Sequence, residues 1–109
     1  MTKEFYSIIT DIGLAKIQEA LANGTKLDLK YIAVGDSNGN YYEPELSQTK
    51  LKNEKYRTEI TELTALTAKA LIPASVGGFY LREFGIFDSE NNLLLVGKQP
   101  ETYKPVETE

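Results

Sequence analysis

The chain has 109 residues, 41% of them hydrophobic and 26% charged, which suits one globular domain with a real core and leaves no room for two. A net charge of −4 without a Lys/Arg cluster argues against a nucleic-acid partner, because phosphate binding relies on a concentrated basic patch. The absence of cysteine and histidine excludes disulfides, thiolate catalysis and Cys-ligated zinc, and removes the commonest general base and transition-metal ligand.

The opening Met1-Thr2-Lys3-Glu4-Phe5 has no apolar stretch of signal-peptide length, and no later run approaches a membrane span. Synthesis in the cytoplasm without a membrane partner is the expectation. Phe5 to Thr10 is short, apolar and β-branched, which predicts a first strand. Thr10 or Asp11 then supplies a helix N-cap, and Leu14, Ile17 and Leu21 recur at helical spacing from Ile12 to Asn23. Asn23-Gly24 predicts the stop. Gly13 in the first turn costs the helix about 1 kcal/mol relative to alanine, a sacrifice that points to close packing.

Leu27 to Val34 alternates as a strand does, and Gly35-Asp36-Ser37-Asn38-Gly39-Asn40 follows as turn chemistry. Its spaced oxygen ligands invite a calcium reading, but EF-hand spacing would require glycine at Tyr41 and glutamate at Ser47. A structural turn is therefore expected, with no metal and no cofactor. Tyr41 to Gln48 reads as an irregular surface loop, and Leu51 to Tyr56 is equally compatible with a helical turn or the approach to a strand.

Arg57 to Leu63 and Thr67 to Ile72 read as paired strands connected near Thr64 to Leu66. Pro73 to Gly78 turns the chain into a strand from Phe79 to Phe87, and Asp88 to Asn92 turns it again into Leu93 to Gly97. From Lys98 onward the polar residues with Pro100 and Pro105 predict a linker, so residues 1–98 are assigned to the domain and 99–109 to the linker. The expected fold is α+β, one N-terminal helix packed on a twisted antiparallel sheet of hairpins and meander.

Several side chains stand out as interaction candidates. Arg82 and Glu83 are neighbours on a strand and point to opposite faces, so they cannot pair with each other. Glu54 and Arg57 are their candidate partners, in an internal bridge that fixes register rather than a subunit contact. Gly77-Gly78 predicts positive φ ahead of Phe79, while Gly85 inside the strand predicts a bulge or a close backbone approach. As catalysts, Glu59, Glu62, Glu83 and Asp88 show no spacing that singles out a facing pair. Tyr41, Tyr42 and Tyr80 leave a second reading open, a carbohydrate-binding module that stacks sugars on exposed rings.

In order along the chain, Ile9-Thr10 with Gly13-Leu14-Ala15-Lys16-Ile17, Ala33-Val34-Gly35-Asp36, Gln48-Thr49-Lys50-Leu51, Asn53-Glu54-Lys55-Tyr56-Arg57, Ile72-Pro73, the block from Val76 to Asp88 and Tyr103-Lys104-Pro105 resemble one family. It is the N-terminal domain of bacteriophage tail-fibre (tail-collar fibre) proteins. The resemblance implies a structural, non-enzymatic virion component in the tail of a phage or prophage, made in the bacterial cytoplasm. It implies a baseplate protein as partner and a homotrimeric fibre, with host recognition in distal parts. Gly35, Asp36, Glu54, Arg57, Gly77, Gly78, Phe79, Arg82, Glu83, Gly85 and Asp88 are then structural or interaction residues, with no catalytic residue among them. The stretch between Arg57 and Ile72 is shorter than the family pattern, and that pattern continues past Tyr103-Lys104-Pro105. An excised or truncated piece, able to remain monomeric, is the corresponding expectation.

Overall fold

The structure is a computed structural model and describes residues 5–64 and 68–107. Its elements are β1 (Ser7–Ile9), α1 (Asp11–Asn23), β2 (Tyr31–Gly35), a 3-10 turn (Ser37–Gly39), β3 (Glu54–Glu59), β4 (Glu62–Leu63), β5 (Ala68–Lys69), β6 (Phe79–Phe87) and β7 (Leu93–Lys104). Five strands form one sheet in the order β1-β7-β6-β2-β3, and β4 pairs with β5 apart from it. Every pairing is antiparallel, so the architecture is α+β.

The helix begins and ends where its caps require. Thr10 is extended, and its Oγ1 accepts from the Gly13 N–H at 3.0 Å. At the other end Gly24 sits at φ 66°, and the Thr25 N–H reaches back to the Ala20 carbonyl. Gly13 is the one helix residue that is fully buried, because a Cβ there would lie 2.1 Å from the Leu94 carbonyl oxygen. The helix thus meets β7 backbone to backbone. Its aliphatic stripe is left outside, Leu14 at 51% and Leu21 at 78% exposure.

The core is Ala33, Leu51, Phe87, Leu93 and Val96, with Ile8 and Tyr31 against it. Leu51 comes from the irregular stretch before β3, so a loop rather than the helix contributes to the cover on this face of the sheet. Register explains the membership. Arg57, Ala33, Gly85, Val96 and Ile8 occupy successive strands in one directly paired row. Ala33 is small and Gly85 has no side chain, which leaves space that Leu93 and Leu51 fill. A Cβ on Gly85 would lie 2.7 Å from Leu93 Cδ1 and 3.0 Å from Leu51 Cδ2.

The structure corrects three expectations from the sequence and resolves one that the sequence left open. The strand predicted from Leu27 starts only at Tyr31, since Asp28 is engaged by the backbone N–H and hydroxyl of Ser89. The strand predicted over Arg57 to Leu63 divides in two. Ile60 N–H still donates to Lys30 on the main sheet, whereas Thr61 N–H turns to Lys69, so β3 pairs with β2 and only Glu62–Leu63 pairs with Ala68–Lys69. The connection predicted near Thr64 to Leu66, and Thr67, fall largely outside the described residues. Leu51 to Tyr56 resolves as an approach to β3, which begins at Glu54. The last strand does not stop at Gly97. It continues to Lys104, pairing Leu81 with Thr102, Tyr80 with Tyr103 and Phe79 with Lys104 after a register shift. Residues 99–104 are therefore sheet, not linker. Polar composition misled there because this end of the hairpin is exposed on both edges.

Candidate functional site

The densest polar assembly is built around Glu83, in the middle of β6. Its carboxylate is completely buried. Oε2 accepts from the backbone N–H groups of Ser37 at 3.0 Å and Asn53 at 2.9 Å. Oε1 accepts from the Lys52 N–H at 2.8 Å and the Tyr42 hydroxyl at 2.6 Å. Four donors from three separate loop positions converge on one carboxylate, and among the described residues it forms no ion pair. Such a carboxylate is satisfied by oriented dipoles, which makes it tolerable in a dry interior. Gly35 stands opposite Glu83 in the ladder, and a Cβ there would lie 2.6 Å from Glu83 Oε2 and 2.3 Å from the Asn53 carbonyl oxygen.

The turn beside it is held in an unusual backbone conformation. Ser37, Asn38 and Gly39 have φ of 53°, 56° and 88°, and the two non-glycine residues cost on the order of 1–3 kcal/mol each. The Ser37 bond to Glu83 and the Asn38 bond to Asp36 Oδ1 at 2.8 Å offset that cost. Asp36 Oδ1 also accepts from Asn53 Nδ2 at 2.7 Å. Burial opposes ionisation of Asp36, but these bonds, with Lys55 and Arg82 nearby, outweigh it and hold its pKa below the usual carboxylate value. The predicted turn is present; Asp36 Oδ1 is committed to the Asn38 N–H and Asn53 Nδ2, while the buried Ser37 Oγ has no hydrogen-bond partner among the described residues. Among the described residues no cluster of three or more acidic side chains could hold a metal ion.

The pairing expected for Arg82 and Glu83 is different in the fold. Arg82 leaves the opposite face of β6, binds Glu101 at 2.8 Å and donates to the Asp36 carbonyl at 2.9 Å. Glu54 and Arg57 pair with each other at 2.8 Å, and the Arg57 guanidinium lies 3.7 Å from the centre of the Phe87 ring. Neither reaches Arg82 or Glu83. Long-range pairing of this kind follows from strand order, which adjacent residues in sequence do not reveal.

The remaining candidates are structural. Gly78 has φ 84°, as predicted for this turn, while Gly77 is required by proximity: a Cβ there would lie 2.4 Å from the Pro105 carbonyl oxygen. At Gly85 a Cβ would meet the Leu93 and Leu51 side chains first and the Leu95 backbone carbonyl oxygen at 3.3 Å. Phe79 pairs with Lys104 at the start of β6. Asp88 is buried and organises the β6–β7 turn, accepting from the Glu90 and Asn92 N–H groups and from Asn92 Nδ2.

Two groups escaped the sequence reading. Lys98 is buried on β7 and donates to Glu43 Oε1 at 2.7 Å, with its ammonium 5.2 Å from the Tyr6 ring centre. Tyr42 was expected as an exposed sugar-stacking ring. It is half-buried, and burial first, then the bond to Glu83, pushes its pKa far above the usual value. Tyr41 is half-buried too, with its hydroxyl on the Gln99 carbonyl and its ring edge-on to Phe5. Tyr41 and Tyr42 therefore do not stand as open rings side by side, whereas Tyr80, the third ring of that reading, is exposed and edge-on to Tyr103. Nor do the four carboxylates face one another across a cleft: Glu83 and Asp88 are buried in separate networks, while Glu59 and Glu62 make surface pairs with Lys30 and Lys69.

A family model for the phage tail-collar fibre protein, N-terminal, matches residues 1–109. The chain belongs to the phage tail-collar fibre family. A probable tail fiber protein of Escherichia phage P2 is 34% identical over 113 residues, covering 96% of this chain. The chain spans 17% of the length of that relative. No solved structure matches it. For this tail-collar fibre domain, a structural tail-fibre component, the buried polar network is the scaffold that shapes the loop surface. Glu83, Asp36 and Asn53 tie together the segment from 36 to 53, so the surface presented by that segment is set by the sheet beneath it.

Proposed function

We propose that this domain anchors a tail fibre to the baseplate of a phage or prophage tail, as a preformed docking body that performs no turnover. The observation that carries the reading is the family match over the entire chain, supported by the identity to the P2 tail fiber protein. The anchoring body comprises residues 1–98 together with the rest of β7, and the partner is a baseplate protein. Copies are presented as a homotrimer in the assembled fibre, which is synthesised in the bacterial cytoplasm and ends in the virion tail. No nucleic acid or membrane takes part. A docking role is consistent with the geometry, since the loop surface over Glu83 is ordered by hydrogen bonds before any partner arrives, which lowers the entropic cost of association.

Competition with native fibres is the direct test. Excess isolated domain, added to fibreless tails before the complete fibre, is expected to reduce the fibre signal on tails, scored by immunoblotting and electron microscopy. A complete fibre lacking residues 1–98 is expected to be absent from tails. Tails that carry the shortened fibre at the normal level overturn the proposal.

A further inference from the structure

Toward the start of β6 the sheet narrows to two strands. β1 pairs with β7 only as far as Gly97, and β2 pairs with β6 only between Glu83 and Phe87. Among the described elements, Phe79, Tyr80 and Leu81 with Lys104, Tyr103 and Thr102 are thus a two-stranded arm that contributes nothing to the core. An arm of this kind is at best marginally stable in water on its own, so something outside the ladder must hold it.

Two groups of bonds do so. At the base of the arm, three ties join it to the segment from 36 to 53. Lys98 donates to Glu43 at 2.7 Å, and the Tyr41 hydroxyl donates to the Gln99 carbonyl at 2.7 Å. Arg82 donates to Glu101 at 2.8 Å and to the Asp36 carbonyl at 2.9 Å, so one guanidinium spans both parts. At the tip, the Lys104 ammonium donates to the carbonyls of Val76 at 2.8 Å and Pro105 at 3.0 Å, with that of Pro73 at 3.5 Å. The backbone closes the same contact: the Gly78 N–H donates to the Lys104 carbonyl at 2.7 Å and the Glu107 N–H to the Ala74 carbonyl at 2.9 Å. Tyr80 and Tyr103 meet edge-on across the arm with ring centres 5.1 Å apart.

We propose that residues 99–107 are a rigid strut, clasped by Lys104, which fixes the direction in which the rest of the fibre leaves the domain relative to the segment from 36 to 53. The inference rests on the anchoring reading, in which that segment faces the tail and the distal fibre follows this domain.

The contrast between two regimes carries the argument. As a flexible chain, these nine residues would let their far end wander over roughly 15–18 Å. Paired with β6 and clasped at Lys104, they hold it in one place. The ties at Lys98, Gln99 and Glu101 run from the strut directly to Glu43, Tyr41 and Asp36 rather than through the core, so the orientation of the docking segment sets that of the exit. The clasp itself is a side chain on backbone carbonyls, so one substitution releases it without altering a core residue.

The chain has no cysteine, so two introduced cysteines carry spin labels at those sites alone. The test measures label-to-label distance distributions by pulsed electron resonance in the 109-residue chain. One pair, Ser47→Cys with Glu107→Cys, spans the loop and the exit; the other, Ser47→Cys with Ala22→Cys, spans the loop and the helix. All three sites are exposed. A single narrow peak is expected for each pair. Lys104→Met is expected to widen the 47–107 distribution at least twofold while the 22–47 distribution and circular dichroism stay unchanged. Gly77→Val, whose Cβ would lie 2.4 Å from the Pro105 carbonyl oxygen, is a second route to the same widening. Widening confined to 47–107 in either variant supports the strut. A broad 47–107 distribution in the parent chain overturns it, as does one that stays narrow in both variants, or widening of both pairs together in each. The measurement uses no tails, so a failure here removes this inference alone and leaves the competition result standing. A rigid strut in a domain that fails to compete removes the anchoring reading instead.

Discussion

The Tyr42 hydroxyl donates to Glu83 Oε1 at 2.6 Å, joining an irregular loop to the centre of β6 across 41 positions of sequence. The same hydroxyl accepts from Gln48 Nε2 at 2.7 Å, so both ends of the loop meet at one oxygen. Removing the anion at the centre leaves several buried N–H groups with a poorer acceptor or none. Glu83→Gln should destabilise the fold by about 3 kcal/mol, and Tyr42→Phe by about 1 kcal/mol, because the latter removes a single donor. Urea unfolding of both variants measures the difference, and a larger effect from Tyr42→Phe would contradict this ranking.

Alkaline pH provides a second readout of the same bond. The folded pKa of Tyr42 is raised above 10.0, so its contribution is complete below that value and is lost as pH rises toward the folded pKa. Of the seven tyrosines, Tyr42 should ionise only when the chain unfolds, which ultraviolet absorbance in titrations with and without denaturant will reveal. Titration of all seven at their ordinary pKa in the native state would be incompatible with the buried bond.

Acid acts through Asp36 with the opposite sign. Its folded pKa lies below 3.8, so the stability it contributes is present above the unfolded value and lost as pH falls through the folded one. Thermal unfolding temperature should therefore decline below about pH 4. Asp36→Asn should be less stable at neutral pH and show a flatter decline, measured by calorimetry at stepped pH.

Glycine substitutions separate proximity from conformation. Gly13→Ala improves helix propensity by about 1 kcal/mol, yet its Cβ would sit 2.1 Å from the Leu94 carbonyl, so a net loss of about 2 kcal/mol or more is expected. Gly24→Ala meets nothing within 4 Å and loses only the left-handed preference, about 1 kcal/mol. Chemical denaturation of the two variants should rank them in that order.

The Lys98–Glu43 pair distinguishes removal of one charge from removal of both. Glu43→Ala leaves the buried ammonium of Lys98 without its carboxylate and should destabilise, whereas Lys98→Met with Glu43→Gln should cost less than Glu43→Ala alone. Thermal melts of the single and double variants decide between them.

Helix limits were legible in the sequence because their causes are local: Thr10 lies three residues before the N–H it caps, and Gly24 turns the chain at its own φ. The limits of β6 were equally readable, Phe79 to Phe87, since turn residues bracket an unbroken strand pattern. The Asp36 to Asn40 turn was visible for the same reason. The chain by itself thus determined the limits of the helix, of β6 and of the turn between Asp36 and Asn40, and its ordered motifs determined the family.

Only the tertiary structure decided who meets whom. Arg82 was found with Glu101 rather than Glu54, Glu83 with backbone N–H groups rather than Arg57, and Leu14 and Leu21 facing solvent rather than the core. Each depends on strand order and register, properties of contacts between residues far apart in sequence, to which periodicity and capping contribute nothing. The two faces of the sheet differ for that reason: the alternation within each strand is local, but the choice of face covered by Leu51 and its loop was made when five strands assembled.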